Sequence, residues 1–336
     1  MQAVIYKEFG EPSEVLKVET VDSLQPQKGE VLVRMLASPV NPSDLLSIRG
    51  GYAIQPELPA TPGLEGVGIV ESSGGGLLGK YMQGKRVAVL NRERGNWAEM
   101  TTLPAKQVIP LSDDLSLEQA AMFFVNPATA YILTRKILTV PKSAWLLQTA
   151  AGSSLGKMVI RLGRKFGFQT INIVRREEQK EELEKLGADK VICFEPEKDS
   201  TEDFQKKIHE ITNQKGVQHI IDPVGGKTGS ATVTCLGESG KMISFGTLSN
   251  EPLVFSPREL MTPGACIQGF WLGQWMQKQS LISKLKLIKQ ITKLIQEGVL
   301  TSVVGESFSL EEINRAVQYA EDSSRKGKAF IVIQEV

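Results

Sequence analysis

The segment Leu146 to Gly156, LLQTAAGSSLG, joins a short apolar run to the start of an amphipathic stretch. A turn of small residues at such a junction gathers backbone N–H groups and a helix N-terminus in one place, which is chemistry suited to holding a pyrophosphate. Measured against G-x-G-x-x-G, only Gly156 remains, with Ala151 and Ser153 at the other two positions. The motif alone is weak and the strand–turn–helix context supports it; an ordinary tight turn is the alternative reading. A second apolar run then ends in INIVRREEQ. An NAD-selective site places an Asp or Glu here for the ribose hydroxyls, whereas Arg175 and Arg176 offer positive charge to a 2′-phosphate, so NADPH is expected over NADH. The competing reading of RREE is a charged, solvated helix start.

The other chemically suggestive stretch is SPVNPSDLLSIRGGY, residues 38 to 52. The phenol of Tyr52 could donate a proton or orient a water, or its ring could simply shield a loop after Gly50 and Gly51. Asn41 could hydrogen-bond near a ligand, or belong to the turn before Pro42, with Ser43 or Asp44 capping the short helix LLSIR.

These residues need elements to hold them. Residues 1 to about 120 carry short alternating segments, among them EVLVRML, GVGIVES and KRVAVL, separated by Gly and Pro clusters, a β-rich pattern. From about Ser143, short apolar strands alternate with helix-period stretches: AWLLQT, LGKMVIRLGRKFG, TINIVR, KVICF, VQHIIDPVGG and GKMISFG. That order predicts consecutive βαβ units and a parallel sheet covered on both faces. In the first helix Leu155, Met158, Val159, Leu162 and Phe166 form one apolar face, with Lys157, Arg161 and Arg164 placed outside and Gly167 as the stop. LISKLKLIKQITKLIQEGVL reads as an amphipathic helix with solvated lysines, Ser309 and Glu312 as a capping box, and GKAFIVI as a closing strand.

At 336 residues the chain suits two domains, and 39 basic against 38 acidic residues leave no general attraction for nucleic acid or an anionic membrane. Cys193, Cys235 and Cys266 lack CxxC spacing, and His209 and His219 are the only histidines, so neither a disulfide framework nor a thiolate or histidine-rich metal centre is expected. No signal peptide, transit peptide or membrane-spanning run is visible, and a cytoplasmic protein is expected.

In their order and spacing, VNPSDLLSIRGGY, NWAEM, VNPATAY, INIVR, VGGKT and GFWLGQW resemble the medium-chain dehydrogenase/reductase superfamily, and within it the zinc-free trans-2-enoyl-thioester reductases. The resemblance implies an α/β chain with a GroES-like β-rich catalytic domain, residues 1–128 and 276–336, and a Rossmann doubly wound parallel-sheet domain, residues 129–275, that binds NADPH. Zinc members have Cys where Asn41 stands and His where Leu64 stands, so no metal is implied, and Asn and Leu cannot replace those ligands. The implied reaction is metal-free, NADPH-dependent reduction of the C=C bond of an enoyl thioester carried by CoA or a carrier protein. The implied alternative is a zinc-free quinone or enone oxidoreductase; a non-catalytic NADPH-binding module is a third. Tyr52, Trp271 and Asn41 are the implied catalytic positions. Cofactor contacts are implied for Asn126; for Gly152, Ser153, Ser154 and Leu155; and for Arg175 and Arg176. Further contacts fall on Phe245, Gly246, Thr247 and Leu248, on Phe270, Trp271, Leu272 and Gly273, and on Lys328, which reads equally well as a solvated lysine. A homodimer is implied on the same ground.

Overall fold

The computed structural model describes residues 1–334, which divide into two compact units, residues 1–125 with 302–334 and residues 126–301. In the first unit the strands run Val304–Phe308, Lys328–Val332, Glu30–Pro39, Glu65–Ser73, Arg86–Leu90 and Val108–Pro110 across one sheet, with Met100–Pro104 also paired to Glu30–Pro39. All these pairings are antiparallel except that of Val304–Phe308 with Lys328–Val332. Alternation in EVLVRM sends Val31, Val33 and Met35 into a cluster with Val70, Val87 and Val89. A second cluster gathers Tyr6, Ile48, Trp97, Phe308 and Val317, so residues from both ends of the chain share one core.

The second unit is a six-stranded parallel sheet in the spatial order Lys190–Cys193, Gln169–Val174, Trp145–Gln148, Val217–Asp222, Leu236–Ser244 and Cys266–Gly269. Chain order reverses between Trp145–Gln148 and Val217–Asp222, the switch point at which open α/β sheets form their ligand crevice. The helix Ser154–Phe166 buries Met158, Val159 and Leu162 completely, each such side chain contributing about 1.5–3 kcal/mol. Gly167 ends it in the left-handed conformation.

Three expectations change. The first unit is rejoined at Ser302 rather than at residue 276, and the earlier boundary falls at Val125 rather than 128. The helix Leu281–Gln296 therefore lies in the parallel-sheet unit, with Leu287, Ile291, Leu294 and Ile295 buried. Arg161 is not a solvated outer residue: its guanidinium donates to the carbonyls of Val299, at 2.8 Å, and Thr301, tying the first helix to the end of this segment. The capping box is half formed, since Glu312 accepts the Ser309 N–H at 3.1 Å but the helix begins at Ile313.

A fragment covering residues 126–301 is expected to unfold in a single urea transition by circular dichroism. One ending at residue 275 should lack that transition, because it loses the buried face of the last helix and both acceptors of Arg161; equal cooperativity in the two fragments would contradict the placement.

Candidate active site

Four polar residues are buried together in the first unit. Asn41 begins the helix Pro42–Ile48; its backbone N–H donates to Asp44 at 2.7 Å, and the Leu64 N–H donates to the other Asp44 oxygen at 2.9 Å. The Asn41 side-chain amide donates to Glu65 at 2.9 Å, and its carbonyl oxygen accepts from the Lys328 ammonium. Glu65 also accepts the Val125 N–H at 2.9 Å. The amide orientation is thus dictated: reversed, it would set oxygen against carboxylate and N–H against ammonium. Asp44, not Ser43, supplies the helix-start contact, as one of the two alternatives for LLSIR requires.

Loss of water dominates the electrostatics of this group. Burial pushes the Asp44 carboxyl up to about 7, against the two N–H bonds that favour its charged form. Burial likewise raises Glu65, with the Lys328 charge opposing, and lowers Lys328, with Glu65 and Asp44 opposing. Lys328 is 7% exposed, which rules out the solvated-lysine reading, and its ammonium is assigned to Asn41.

This is also the place where zinc members would hold their ion, and the donor set does not fit one. Asn41 and Leu64 occupy the two ligand positions, an ammonium stands among the carboxylates, and all three cysteines lie in the other unit. Among the described residues no group of three or more His, Cys, Asp or Glu is arranged to take a metal.

Tyr52, itself half-buried, follows the capped helix on an exposed loop, where the Gln55 amide donates to its carbonyl at 2.9 Å and also to that of Gly50.

In the second unit the expected cofactor residues other than Asn126 follow the C-terminal ends of the parallel strands. Ser153 caps the helix Ser154–Phe166, its hydroxyl accepting the Gly156 N–H at 3.1 Å. A Cβ on Gly156 would lie 2.4 Å from the Ala151 carbonyl oxygen, so this one glycine lets the turn fold back on its helix, while serine suffices at 153 and 154. Gly152, Ser153 and Ser154 are accessible above the turn; Leu155 is buried beneath it and acts through packing. Arg175 is exposed and Arg176 half-buried just beyond the strand Gln169–Val174, and neither forms an ion pair among the described residues. A small-residue turn at a helix start, with uncommitted arginines at the next strand end, fits a dinucleotide phosphate.

Phe245 to Leu248 follow the strand Leu236–Ser244, and the N–H groups of Phe245 and Leu248 bind the carbonyls of Asp222 and Pro223 at 3.0 Å. Phe270 binds back to Ser244 at 2.8 Å, and Trp271 opens the helix Leu272–Gln277 with Gly273 buried inside it. Asn126 lies at the start of the helix Val125–Ile132 and within the second unit.

Sequence reading missed what holds these loops in place. Asp222, fully buried, accepts from Thr149 across the switch point and from the N–H groups of Val224 and Gly225 at 3.0 and 2.9 Å. Gln148 donates to the Gly156 carbonyl at 3.0 Å and to Asn172 at 2.7 Å, and Asn172 donates to the Lys190 carbonyl at 2.9 Å, a polar rung running beneath the phosphate turn. A polar residue inside an otherwise apolar strand was the available signal for both Gln148 and Asn172.

The burial of Asp44 sets a pH dependence. Its folded value of about 7 exceeds the unfolded carboxylate value of about 3.9, so its contribution to stability is complete below the latter and is lost as pH rises through the former. Glu65 acts with the same sign and Lys328 with the opposite one. Urea stability is expected to fall between about pH 5 and pH 7.5, by on the order of 1 kcal/mol per pH unit. Asp44→Asn should be less stable at the acid end and show a flatter profile; parallel profiles would contradict the assignment.

The zinc-binding dehydrogenase family model matches residues 154–289, and the alcohol dehydrogenase GroES-like domain model matches residues 27–113. A mitochondrial enoyl-[acyl-carrier-protein] reductase of Caenorhabditis elegans is 30% identical over 98% of this chain and 95% of its own length. Among solved structures, a Bacillus thuringiensis protein assigned as an NADPH:quinone reductase is 30% identical with a TM-score of 0.91, covering 99% of both chains. A complex of Etr1p with NADP and crotonyl-CoA is 26% identical with a TM-score of 0.84, covering 98% of this chain and 99% of that one. Together with the two folds and the vacated metal position, the full-length match means that this chain belongs to the zinc-free enoyl reductase family of the medium-chain dehydrogenase/reductase superfamily.

Proposed function

We propose that this protein reduces the activated C=C bond of trans-2-enoyl thioesters, using NADPH and no metal. The observation on which this rests is the full-length similarity to enoyl-[acyl-carrier-protein] reductases, joined to Asn41 and Leu64 standing at the two zinc-ligand positions of the superfamily. When bound, NADPH supplies the hydride that adds to the alkene β-carbon. Negative charge then moves into the thioester oxygen as an enolate, and the α-carbon takes a proton.

The chain's own residues have distinct tasks. Gly152, Ser153 and Ser154 with the helix start hold the pyrophosphate, and Arg175 and Arg176 take the 2′-phosphate as charge-assisted hydrogen-bond donors. The loops Phe245–Leu248 and Phe270–Gly273 hold the nicotinamide end, with the Trp271 indole excluding water beside the acyl chain. Tyr52 delivers the proton, directly or through a water it orients. Asn41 acts by fixing the helix that leads to Tyr52. Lys328 supports that role from within the core instead of contacting the cofactor. A homodimer is proposed on the family resemblance, with the edge strand Cys266–Gly269 offering unpaired backbone groups to a second copy.

A second reading, reduction of quinones or enones, is favoured by the similarity to the Bacillus thuringiensis protein. NADPH oxidation with crotonyl-CoA, a longer 2-enoyl-CoA, an enone and a quinone separates the two. Thioester turnover is expected to fall in Tyr52→Phe by about 10²- to 10⁴-fold while NADPH still binds, the range of a lost acid–base group. Quinone turnover indifferent to the substitution would favour the second reading. Replacing both Arg175 and Arg176 with Ala should raise the KM for NADPH by about ten- to a hundredfold and leave that for NADH nearly unchanged. An equal change for both coenzymes would remove the 2′-phosphate assignment.

A further inference from the structure

The helix Pro42–Ile48 is held at its start by the buried group around Asn41, and its other end is held at the surface. The guanidinium of Arg49, which closes that helix, donates to Glu11 from Nε at 3.0 Å and from Nη2 at 2.7 Å, and to Glu321 from Nη2. Glu11 stands just ahead of the short helix Pro12–Val15, and Glu321 ends the helix Ile313–Glu321. The bonds from Arg49 hold the Glu11 carboxyl below its usual range. Two further contacts from the same N-terminal segment meet this helix end. The Gly10 N–H donates to the Ile48 carbonyl at 3.1 Å, and a Cβ on Gly50 would lie 3.2 Å from the Phe9 side chain.

The residues after Arg49 give this anchor its consequence. Gly50, at φ +77°, and Gly51 separate it from Tyr52, and glycine leaves the chain free to turn in many directions. The helix therefore does not by itself aim the tyrosine; the residue ahead of the glycines has to be fixed first. Beyond Tyr52 the Gln55 amide closes the loop on itself through the Gly50 and Tyr52 carbonyls, so the loop is a small closed unit with Arg49 at its N-terminal root. A surface ion pair contributes little to stability as a rule, but a forked guanidinium shared by two carboxylates fixes geometry. Geometry is what proton delivery needs, since a reacting group displaced by about 1 Å can cost about a hundredfold in rate.

We infer that Arg49 is a positioning residue for the reaction, fixing through Glu11 and Glu321 the root of the loop that carries Tyr52. This deepens the proton-delivery reading above and rests on it. The Arg49 guanidinium is committed to the two carboxylates, so its effect on the chemistry passes through the backbone it holds. Its place at the helix end, ahead of two glycines, sets it apart from an ordinary surface stitch. The pair Arg34–Glu71, at 2.7 Å between the strands Glu30–Pro39 and Glu65–Ser73 of the same unit, is such a stitch and serves as the control.

Turnover of crotonyl-CoA with NADPH is compared in the full-length protein and in Arg49→Ala, Glu11→Gln, Arg34→Ala, Tyr52→Phe and Tyr52→Phe/Arg49→Ala. In Arg49→Ala kcat is expected to fall about tenfold to a hundredfold with the KM for NADPH unchanged. Glu11→Gln should fall in the same direction, and Arg34→Ala should keep its kcat. The double variant should match Tyr52→Phe, because a group that acts only through Tyr52 has nothing left to position. With Tyr52→Phe impaired, an unchanged kcat in Arg49→Ala, an equal loss in Arg34→Ala, or a double variant slower by the full factor each overturns the proposal. Hydrogen exchange of the Arg49, Gly50 and Gly51 amides, bonded to the carbonyls of Leu45, Ser47 and Leu46, reads the anchor without any turnover. It should be faster in Arg49→Ala, and unchanged exchange overturns the proposal. If Tyr52→Phe keeps full turnover, the proton-delivery reading fails and exchange alone decides: faster exchange upholds Arg49 as the anchor of the loop, and unchanged exchange removes it.

Discussion

A carboxylate removed from water must receive donors and counter-charge from the chain itself, and the first unit is arranged around two of them. Asp44 and Glu65 are fully buried, and Asn41 touches both, through its backbone N–H and its side-chain amide. Among the described residues the buried cation near them is Lys328, which reaches Asn41 across 287 residues of sequence. Breaking such a group is costly because it leaves an uncompensated charge behind. The helix start at Asn41, the strand Glu65–Ser73 and the strand Lys328–Val332 are thereby fixed to one another. The loop bearing Tyr52 departs from that fixed point.

The second unit solves a different problem with one buried carboxylate and two side-chain amides. Parallel strands bring all their C-terminal ends to one edge, and the loops there must hold their shapes while leaving donors for a ligand. Asp222 fastens the turn after its own strand and reaches Thr149 on the neighbouring strand, while Gln148 and Asn172 support the phosphate turn from below. The side-chain oxygen of Gln148 is buried with no partner among the described residues, so this rung is not fully satisfied. Its position directly under the turn places that imperfection where the backbone approaches a ligand.

Much of this was legible from residue order. Alternation gave the strands of the first unit, and the switch from period 2 to period 3.6 near Ser143 gave the parallel sheet, because both patterns arise from local geometry. The phosphate turn was legible despite two missing glycines, since close approach demands a glycine only at Gly156. Long-range features were not. Nothing near Lys328 announces that it will be buried beside Asn41, and Arg161 shows a helical spacing that says outward while its long side chain turns back to Val299 and Thr301. The boundary at Ser302 was missed for a related reason: amphipathic periodicity tells which face a helix buries, but not against which unit.

The discontinuous first unit also imposes an order on synthesis. Residues 126–301, all of the parallel-sheet unit, leave the ribosome before the strand Lys328–Val332 exists. Until Lys328–Val332 emerges, Asp44 and Glu65 lack the Lys328 ammonium, and the strand Glu30–Pro39 lacks its neighbour along Ala37 to Pro39. Residues 1–125, though made before the parallel-sheet unit, are the part that must wait, and synthesis through Lys328 is what allows their polar centre to close.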